Sequence, residues 1–420
     1  MKREFFMAYD FKRGMKLPFE DIKDSRFQVV NDSPSLCFFV DREPLVKKGD
    51  TVLAGTHLGK RGELNIRSSV SGRVSCIEEG RITVENDMNF TPDPEIQPYG
   101  IKTGKTLSQL DFESFCELLG EQGIRYNADT PAPAFFSKAY GKVRTLTVNA
   151  VVTQNGDVAP LVILEEHAEK IVSAMKIIMS VFGIKRGIIA LSGRSRHTYR
   201  HLSSLPSLGR LVRLERLGDN YPLENNNILL FSLTGKELSP LHESYVSGHL
   251  LLTVQNCLDI YDAFAGSPAG LGGYVTVNTL SGERKTVYLP YGTPLEHLFK
   301  STGIEAQVIK GTGLSGTLAD PAAYYEGESR IYTECERKER LSGLCNKCGD
   351  CVDVCPMYLY PFEFAFSGKK HAVSCGINVC LQCGLCESIC PCSYPLGRKI
   401  AELKKSVSEA QSSAEGGTES

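Results

Sequence analysis

Eight of the fifteen cysteines in this chain fall into two copies of one pattern, and that pattern limits the fold more than any other stretch. Cys345, Cys348, Cys351 and Cys355 are followed by Pro356, and Cys380, Cys383, Cys386 and Cys390 by Pro391. Each copy reads C-x2-C-x2-C-x3-C-P, a run that holds a [4Fe–4S] cluster, with the fourth cysteine of one run ligating the cluster of the other. Three thiolates in close succession wrap three corners of a cube, and the proline ends the turn so that the fourth sulfur arrives from elsewhere. The expected ligand sets are therefore Cys345, Cys348, Cys351 and Cys390 for one cluster, and Cys380, Cys383, Cys386 and Cys355 for the second. Zinc is the competing reading of C-x2-C pairs, but it takes four ligands in two pairs, not four in one unbroken run. Disulfides belong to oxidising compartments, and residues 1–14 lack the apolar stretch of a secretory signal. The other cysteines are Cys37, Cys76, Cys116 and Cys257, read as buried apolar residues, and Cys335, Cys375 and Cys392, whose roles stay open near the clusters.

A chain of 420 residues has room for two to four domains. Its formal net charge of −2 gives no basic excess to meet a phosphate backbone, so nucleic acid is not an expected partner. No apolar run is long enough to span a bilayer. The expected location is cytoplasmic, with attachment to the inner face of the cell membrane only through partner subunits.

The chain reads as a multidomain α+β protein. Residues 1–105 form the first unit, where Gly-Asp and Ser-Gly turns punctuate short strands. They resemble a barrel-sandwich hybrid, without the attachment lysine of biotinyl or lipoyl carriers. Residues 106–245 read as an α/β Rossmann-like domain. It has a helix over 110–119 capped by Asp111, a loop over 124–136 containing Pro131 and Pro133, strands over 145–152, 187–191 and 228–233, and a helix over 165–182. Residues 246–325 read as a β-grasp unit, with a hairpin from 274–277 and 285–289 and a helix over 295–301. The glycine-rich stretch 311–316 is expected to be a tight loop leading to the clusters. Residues 326–406 are assigned to the α-helical dicluster ferredoxin domain, and 407–420 to a disordered tail.

This order of units resembles the C subunit of the Rnf electron-transport complex over most of the chain. Residues 46–55 and 70–74 are similar to that family's N-terminal module. Asn220-Tyr221-Pro222 with Leu233-Thr234-Gly235, and Val254-Gln255-Asn256, resemble segments of its central domain. Residues 287–294 resemble its soluble-ligand-binding β-grasp (SLBB) motif, and 347–357 with 382–386 its cluster signature. The N-terminal module is also similar to the A subunit of the sodium-pumping quinone reductase, which lacks these cysteines. The family's G-x-G-G-A-G-F-P loop, however, is replaced here by Gly123-Ile124-Arg125-Tyr126-Asn127-Ala128-Asp129-Thr130-Pro131. Its E-x-E-P segment gives way to Thr153-Gln154-Asn155, and glycines near Tyr221-Pro222 to Glu224-Asn225-Asn226-Asn227. Glycines permit close approach of backbone to phosphate, so FMN and NADH binding are not expected.

The resemblance implies an iron–sulfur electron-transfer subunit without a catalytic acid or base. Its expected partners are other subunits of a redox complex, or a ferredoxin or flavodoxin. The alternatives are a flavin-dependent NADH:acceptor oxidoreductase of the full family or cobalamin-reductase type, and a docking scaffold in which the clusters are structural. His371 is read either as a sulfur ligand's hydrogen-bond partner or as a loop residue. Arg194, Arg196 and His197 are read either as an anion patch or as a solvated loop.

Overall fold

The computed structural model describes residues 9, 11–22, 26–41, 43–104, 106–154, 156–238, 242–312, 314–336 and 343–415, with the backbone alone at 108 and 408–415. In the N-terminal module the strands Ser35–Phe39, Arg81–Asn86, Gly72–Glu78 and Thr51–Val52 lie side by side in that order, all antiparallel. The hairpin His57–Arg61/Leu64–Arg67 stands apart as a second sheet. Alternating Leu36, Phe38, Val74, Ile82 and Val84 point between the two layers with Leu58 and Ile66, closing a sandwich core. The second hairpin also docks outward: Asn65 Nδ2 donates to Gly120 O at 2.7 Å, at the end of helix Phe112–Glu121.

The central domain is a parallel sheet ordered Val212–Leu217, Gly187–Ser192, Thr145–Ala150, His249–Thr253. Strand His249–Thr253 pairs with Thr145–Ala150, so the central sheet continues past residue 245. The crossover helix Ala159–Phe182 buries Ile171, Met175, Ile178 and Met179 against the sheet. It starts earlier than the apolar stripe suggests, because Pro160 sits in its first turn, where a missing N–H costs nothing. The same rule corrects the loop expected over 124–136. Pro131 and Pro133 open helix Ala132–Ala139, which buries Phe135 and Phe136.

The strand expected over 228–233 is a helix, Asn226–Thr234. A fully apolar run does not distinguish a buried strand from a buried helix. The deciding residues flank it: Asn225 Oδ1 accepts from Asn227 N at 3.0 Å, and Gly235 closes the helix with φ 68°. The tail likewise departs from expectation, since helix Leu396–Glu415 carries on through 408–415, while 416–420 lie outside the described residues.

The next sheet is ordered Gln28–Val29, Arg284–Pro290, Gly272–Asn278, Ile331–Cys335, Gln307–Gly311, Gly316–Leu318. Its parallel centre, Gly272–Asn278 beside Ile331–Cys335, and its helix Leu295–Thr302 make a β-grasp unit. Leu295, Leu298 and Phe299 pack into the sheet beside Val275, Val287 and Tyr332. Strand Ile331–Cys335, which carries Cys335, thus extends this unit beyond residue 325. Glu334 of that strand gathers three backbone N–H groups: Leu280 at 2.8 Å, Glu305 at 3.0 Å and Ala306 at 2.9 Å.

The C-terminal region packs short helices, including Asp350–Asp353, Pro361–Phe366 and Leu385–Ser388, against helix Leu396–Glu415 around Phe364, Ala372, Ile377 and Ile400. Among the described residues no helix is long and apolar enough to cross a membrane.

Burial alone would raise the pKa of Glu334, but its three donors outweigh burial and hold it below the usual carboxylate range. A depressed folded pKa adds stability above the unfolded value of about 4.3, and that stability is lost as pH falls through the folded value. Glu334→Gln is expected to cost about 2 kcal/mol at neutral pH in denaturant unfolding. The gap from wild type should close below about pH 4.

Candidate iron–sulfur and flavin sites

The two cysteine runs fold alike. In the first, Lys347 (φ 58°), Gly349 (φ 94°) and Tyr358 (φ 54°) are left-handed, and in the second so are Gln382 (φ 53°), Gly384 (φ 80°) and Ser393 (φ 49°), at equivalent positions. Helices Asp350–Asp353 and Leu385–Ser388 occupy the same place in each run. Reversing the chain between the first two sulfurs takes a left-handed residue, and Lys347 and Gln382 accept it without being glycine. At Gly384 glycine is required, because a Cβ would lie 1.7 Å from Leu314 O.

The two runs lie near one another, although among the described residues no three His, Cys, Asp or Glu side chains already form a metal-holding group. Burial pushes the Cys380, Cys383 and Cys386 thiols up, that of Cys383 to about 11, and the neighbouring Cys355 adds to the rise in all three. Burial likewise raises Cys351, with Cys345 and Cys348 adding to it. A buried thiol that resists ionisation becomes a thiolate when iron supplies the compensating charge. The donor chemistry therefore fits iron–sulfur clusters, with Cys355 beside the three sulfurs of the other run. Backbone N–H groups already point at these sulfurs: Gln382 N lies 3.4 Å from Cys380 Sγ, and Leu385 donates to Cys383. Such donors stabilise the thiolate and tune cluster potential. Cys348 is exposed, whereas Cys351 and Cys355 are buried.

The second run sits against the carboxyl edge of the central sheet, where ligands bind in open α/β sheets. Tyr221 Oη donates to Cys383 O at 2.8 Å. Tyr221, Val354 and Leu385 form one buried cluster with Leu314 packed on it, so the 311–316 stretch reaches the cluster domain as expected, Gly313 lying outside the described residues. Arg13 clamps the first run, donating to Val352 O at 3.1 Å and Asp353 O at 2.8 Å, with its guanidinium 4.2 Å from the Tyr358 ring centre.

At the same edge, the segment that replaces the family's glycine loop is tied to itself. Tyr126 N donates to Thr130 O at 2.8 Å and Ala132 N to Ile124 O at 2.9 Å. Asn127 Oδ1 accepts from Asp129 N at 3.1 Å and Thr130 N at 2.9 Å. Tyr126 stacks on Phe135 with ring centres 3.6 Å apart. Asn256 Nδ2 holds the segment from below, donating to Arg125 O and Tyr126 O at 3.1 Å each. Across the crevice, Glu224 accepts from the Thr153 hydroxyl and from Gln154 Nε2 at 3.1 Å, while Asn149 Nδ2 donates to Glu224 O at 2.9 Å. Burial raises the pKa of Glu224, a rise that the Thr153 bond opposes. Asn155 lies outside the described residues.

The remaining candidates have other duties. Arg194 donates to Leu17 O, Thr153 O and Asp219 O, holding loops together. Asp21 Oδ2 accepts from the backbone N–H groups of Arg196 and His197, and His197 Nδ1 lies 3.0 Å from Glu165. His371 meets Cys375 Sγ at 3.4 Å, which is not one of the eight cluster cysteines. Cys392 O accepts from Gly343 N. Cys37 and Cys257 are buried, and Cys76 and Cys116 half-buried. Sequence reasoning missed Tyr221 and Arg13 as contacts of the cluster domain. Tyr221 belongs to the Asn220-Tyr221-Pro222 segment, which hinted at importance without a partner, but Arg13 gave no signal.

Three family models match the chain: an RnfC barrel-sandwich hybrid domain over 36–91, a Nuo51 FMN-binding domain over 125–262 and a 4Fe-4S dicluster domain over 344–394. The C subunit of the Na(+)-translocating ferredoxin:NAD(+) oxidoreductase complex of Acetobacterium woodii is 26% identical over 78% of this chain and 78% of its own length. The C subunit of an ion-translocating oxidoreductase complex from Buchnera aphidicola is 24% identical over 86% of this chain and 80% of its own. The cobalamin reductase PduS of Citrobacter freundii is 23% identical over 64% of this chain and 66% of its own.

The crossed ligation expected from the spacing makes an asymmetric prediction. Cys355→Ala should abolish the cluster held by the second run and spare the other, halving iron from about eight to about four per chain. Iron analysis with electron paramagnetic resonance of the dithionite-reduced protein reads this out, and Cys390→Ala should remove the opposite signal.

Proposed function

We infer that this chain, which belongs to the RnfC family, is the electron-transfer subunit of an Rnf-type ion-translocating oxidoreductase complex. When bound, two [4Fe–4S] clusters supply one-electron carriers. The residues proposed to hold them are Cys345, Cys348, Cys351 and Cys390, and Cys380, Cys383, Cys386 and Cys355. The electrostatic influence of Cys355 on Cys380, Cys383 and Cys386 supports its place in the second set, and the spacing of the runs is what assigns Cys390 to the first. Gln382 and Leu385 N–H groups stabilise the sulfurs they face, and Tyr221 fixes Cys383 to the central sheet. Exposed Cys348 opens the first site to a partner carrier such as a ferredoxin, a flavodoxin or another protein of the complex. Attachment to the inner face of a membrane would come through those partners.

We further propose that this chain does not hold FMN or oxidise NADH itself. The supporting observation is that the N–H groups of Tyr126, Asp129 and Thr130 are spent on Thr130 O and Asn127 Oδ1 within the 124–131 segment. A phosphate cradle needs such donors free. The side chains of Asn149, Thr153 and Gln154 are engaged across the crevice with the segment bearing Glu224. The match to an FMN-binding domain over 125–262 favours the second reading, a flavin-dependent NADH:acceptor oxidoreductase.

Anaerobic purification separates the two. The expected product is brown, contains about eight irons and no stoichiometric flavin, and is bleached by dithionite but not by NADH. Co-purifying flavin, or bleaching by NADH, would establish the second reading in its place.

A further inference from the structure

A cavity of about 360 Å3 lies where the N-terminal, central and β-grasp units meet, and none of its lining residues belongs to the cysteine runs or to the 124–131 segment. We propose that it binds a small organic cation, an amine or guanidinium on an apolar body, between Asp259 and Asp262 and a wall formed by Phe27, Tyr274 and Tyr288.

The charges set the ligand class. Asp259 is 8% exposed, accepts from Gln255 Nε2 at 2.8 Å and from the Gly270 N–H, and among the described residues has no Lys or Arg within ion-pair distance. Asp262 is paired with Lys170 Nζ at 2.9 Å. His167 is held neutral by burial, with Lys170 acting in the same direction. Lys170 thus pairs with Asp262, while Asp259, on which Arg125 also acts, rests largely protonated at neutral pH and becomes a carboxylate when a cation arrives beside it. Burial pushes Asp259 up to about 8, and a bound cation would remove that penalty.

The walls suit an organic cation better than a hydrated metal ion. Tyr274 meets Phe27 and Tyr288 edge to face, with centroids at 4.9 and 5.2 Å, and aromatic faces attract ammonium groups. Helix Ala159–Phe182 breaks its geometry at His167 (φ −127°, ψ 25°), and the ring meets Tyr274 Oη at 2.9 Å. At the rim, Met88 is left-handed (φ 63°) and 52% exposed beside Phe90 at 56%. Strained backbone and exposed apolar side chains at the mouth of a domain-junction cavity are features of ligand sites.

Isothermal titration calorimetry of the full, cluster-loaded chain tests this with tyramine, agmatine and tyrosol, the last carrying a hydroxyl in place of tyramine's ammonium. Saturable tyramine binding is expected, with tyrosol at least about tenfold weaker and Asp259→Asn weakening tyramine about tenfold. Lys170→Met removes the competing ammonium from a partly exposed position and should tighten tyramine binding. The proposal falls if neither cation binds at millimolar concentration, if tyrosol binds as tightly as tyramine, or if Asp259→Asn leaves binding unchanged. Should Asp259→Asn fail to fold, unchanged or weaker binding by Lys170→Met overturns it alone.

Discussion

The C-terminal region depends on sulfur that is buried and has nowhere to put a charge. Cys351 and Cys355 lie inside its core beside Phe364, Ile377 and Ile400, with Cys380 and Cys386 packed against it. In most small domains such positions would be Leu or Val and the core would close on itself. Here burial raises several of the thiols, so the interior is complete only when iron takes the protons' place. The short helices Asp350–Asp353 and Leu385–Ser388 therefore owe their order to tertiary contacts and not to their own length.

That region is placed by a small set of contacts at the carboxyl edge of the central sheet. Tyr221 reaches Cys383 O, Arg13 reaches the carbonyls of Val352 and Asp353, and Leu314 from the β-grasp unit fills the space above Gly384. In a nucleotide-binding α/β domain this edge receives a ligand's phosphate. In this chain the second cysteine run packs at one side of it and the 124–131 segment lies at the other.

The cysteine runs were legible because cluster ligation imposes fixed spacing on contiguous residues, and the units were legible from their turn residues and apolar periods. What escaped was context. The run at 228–233 carries no period, and only its flanking Asn225 and Gly235 decide for helix. Pro131 and Pro133 end structure in most settings but begin it at a first helical turn. Strands His249–Thr253 and Ile331–Cys335 join sheets whose other strands lie far away in sequence, and local patterns carry no record of such pairings. The absence of the glycine pattern at 124–131 was visible, but the bonds from Asp129 and Thr130 N–H to Asn127 required coordinates.

The opening segment of the chain binds units that sequence order keeps apart. Tyr9 N bonds Ser232 O, Met15 pairs with Tyr221, Arg13 grips the first cysteine run, and Gln28–Val29 adds a strand to the β-grasp sheet, all before the first sandwich strand begins at Ser35. The molecule is therefore stitched, not strung like beads. A truncation that removed this segment would therefore loosen the central, cluster and β-grasp units at once.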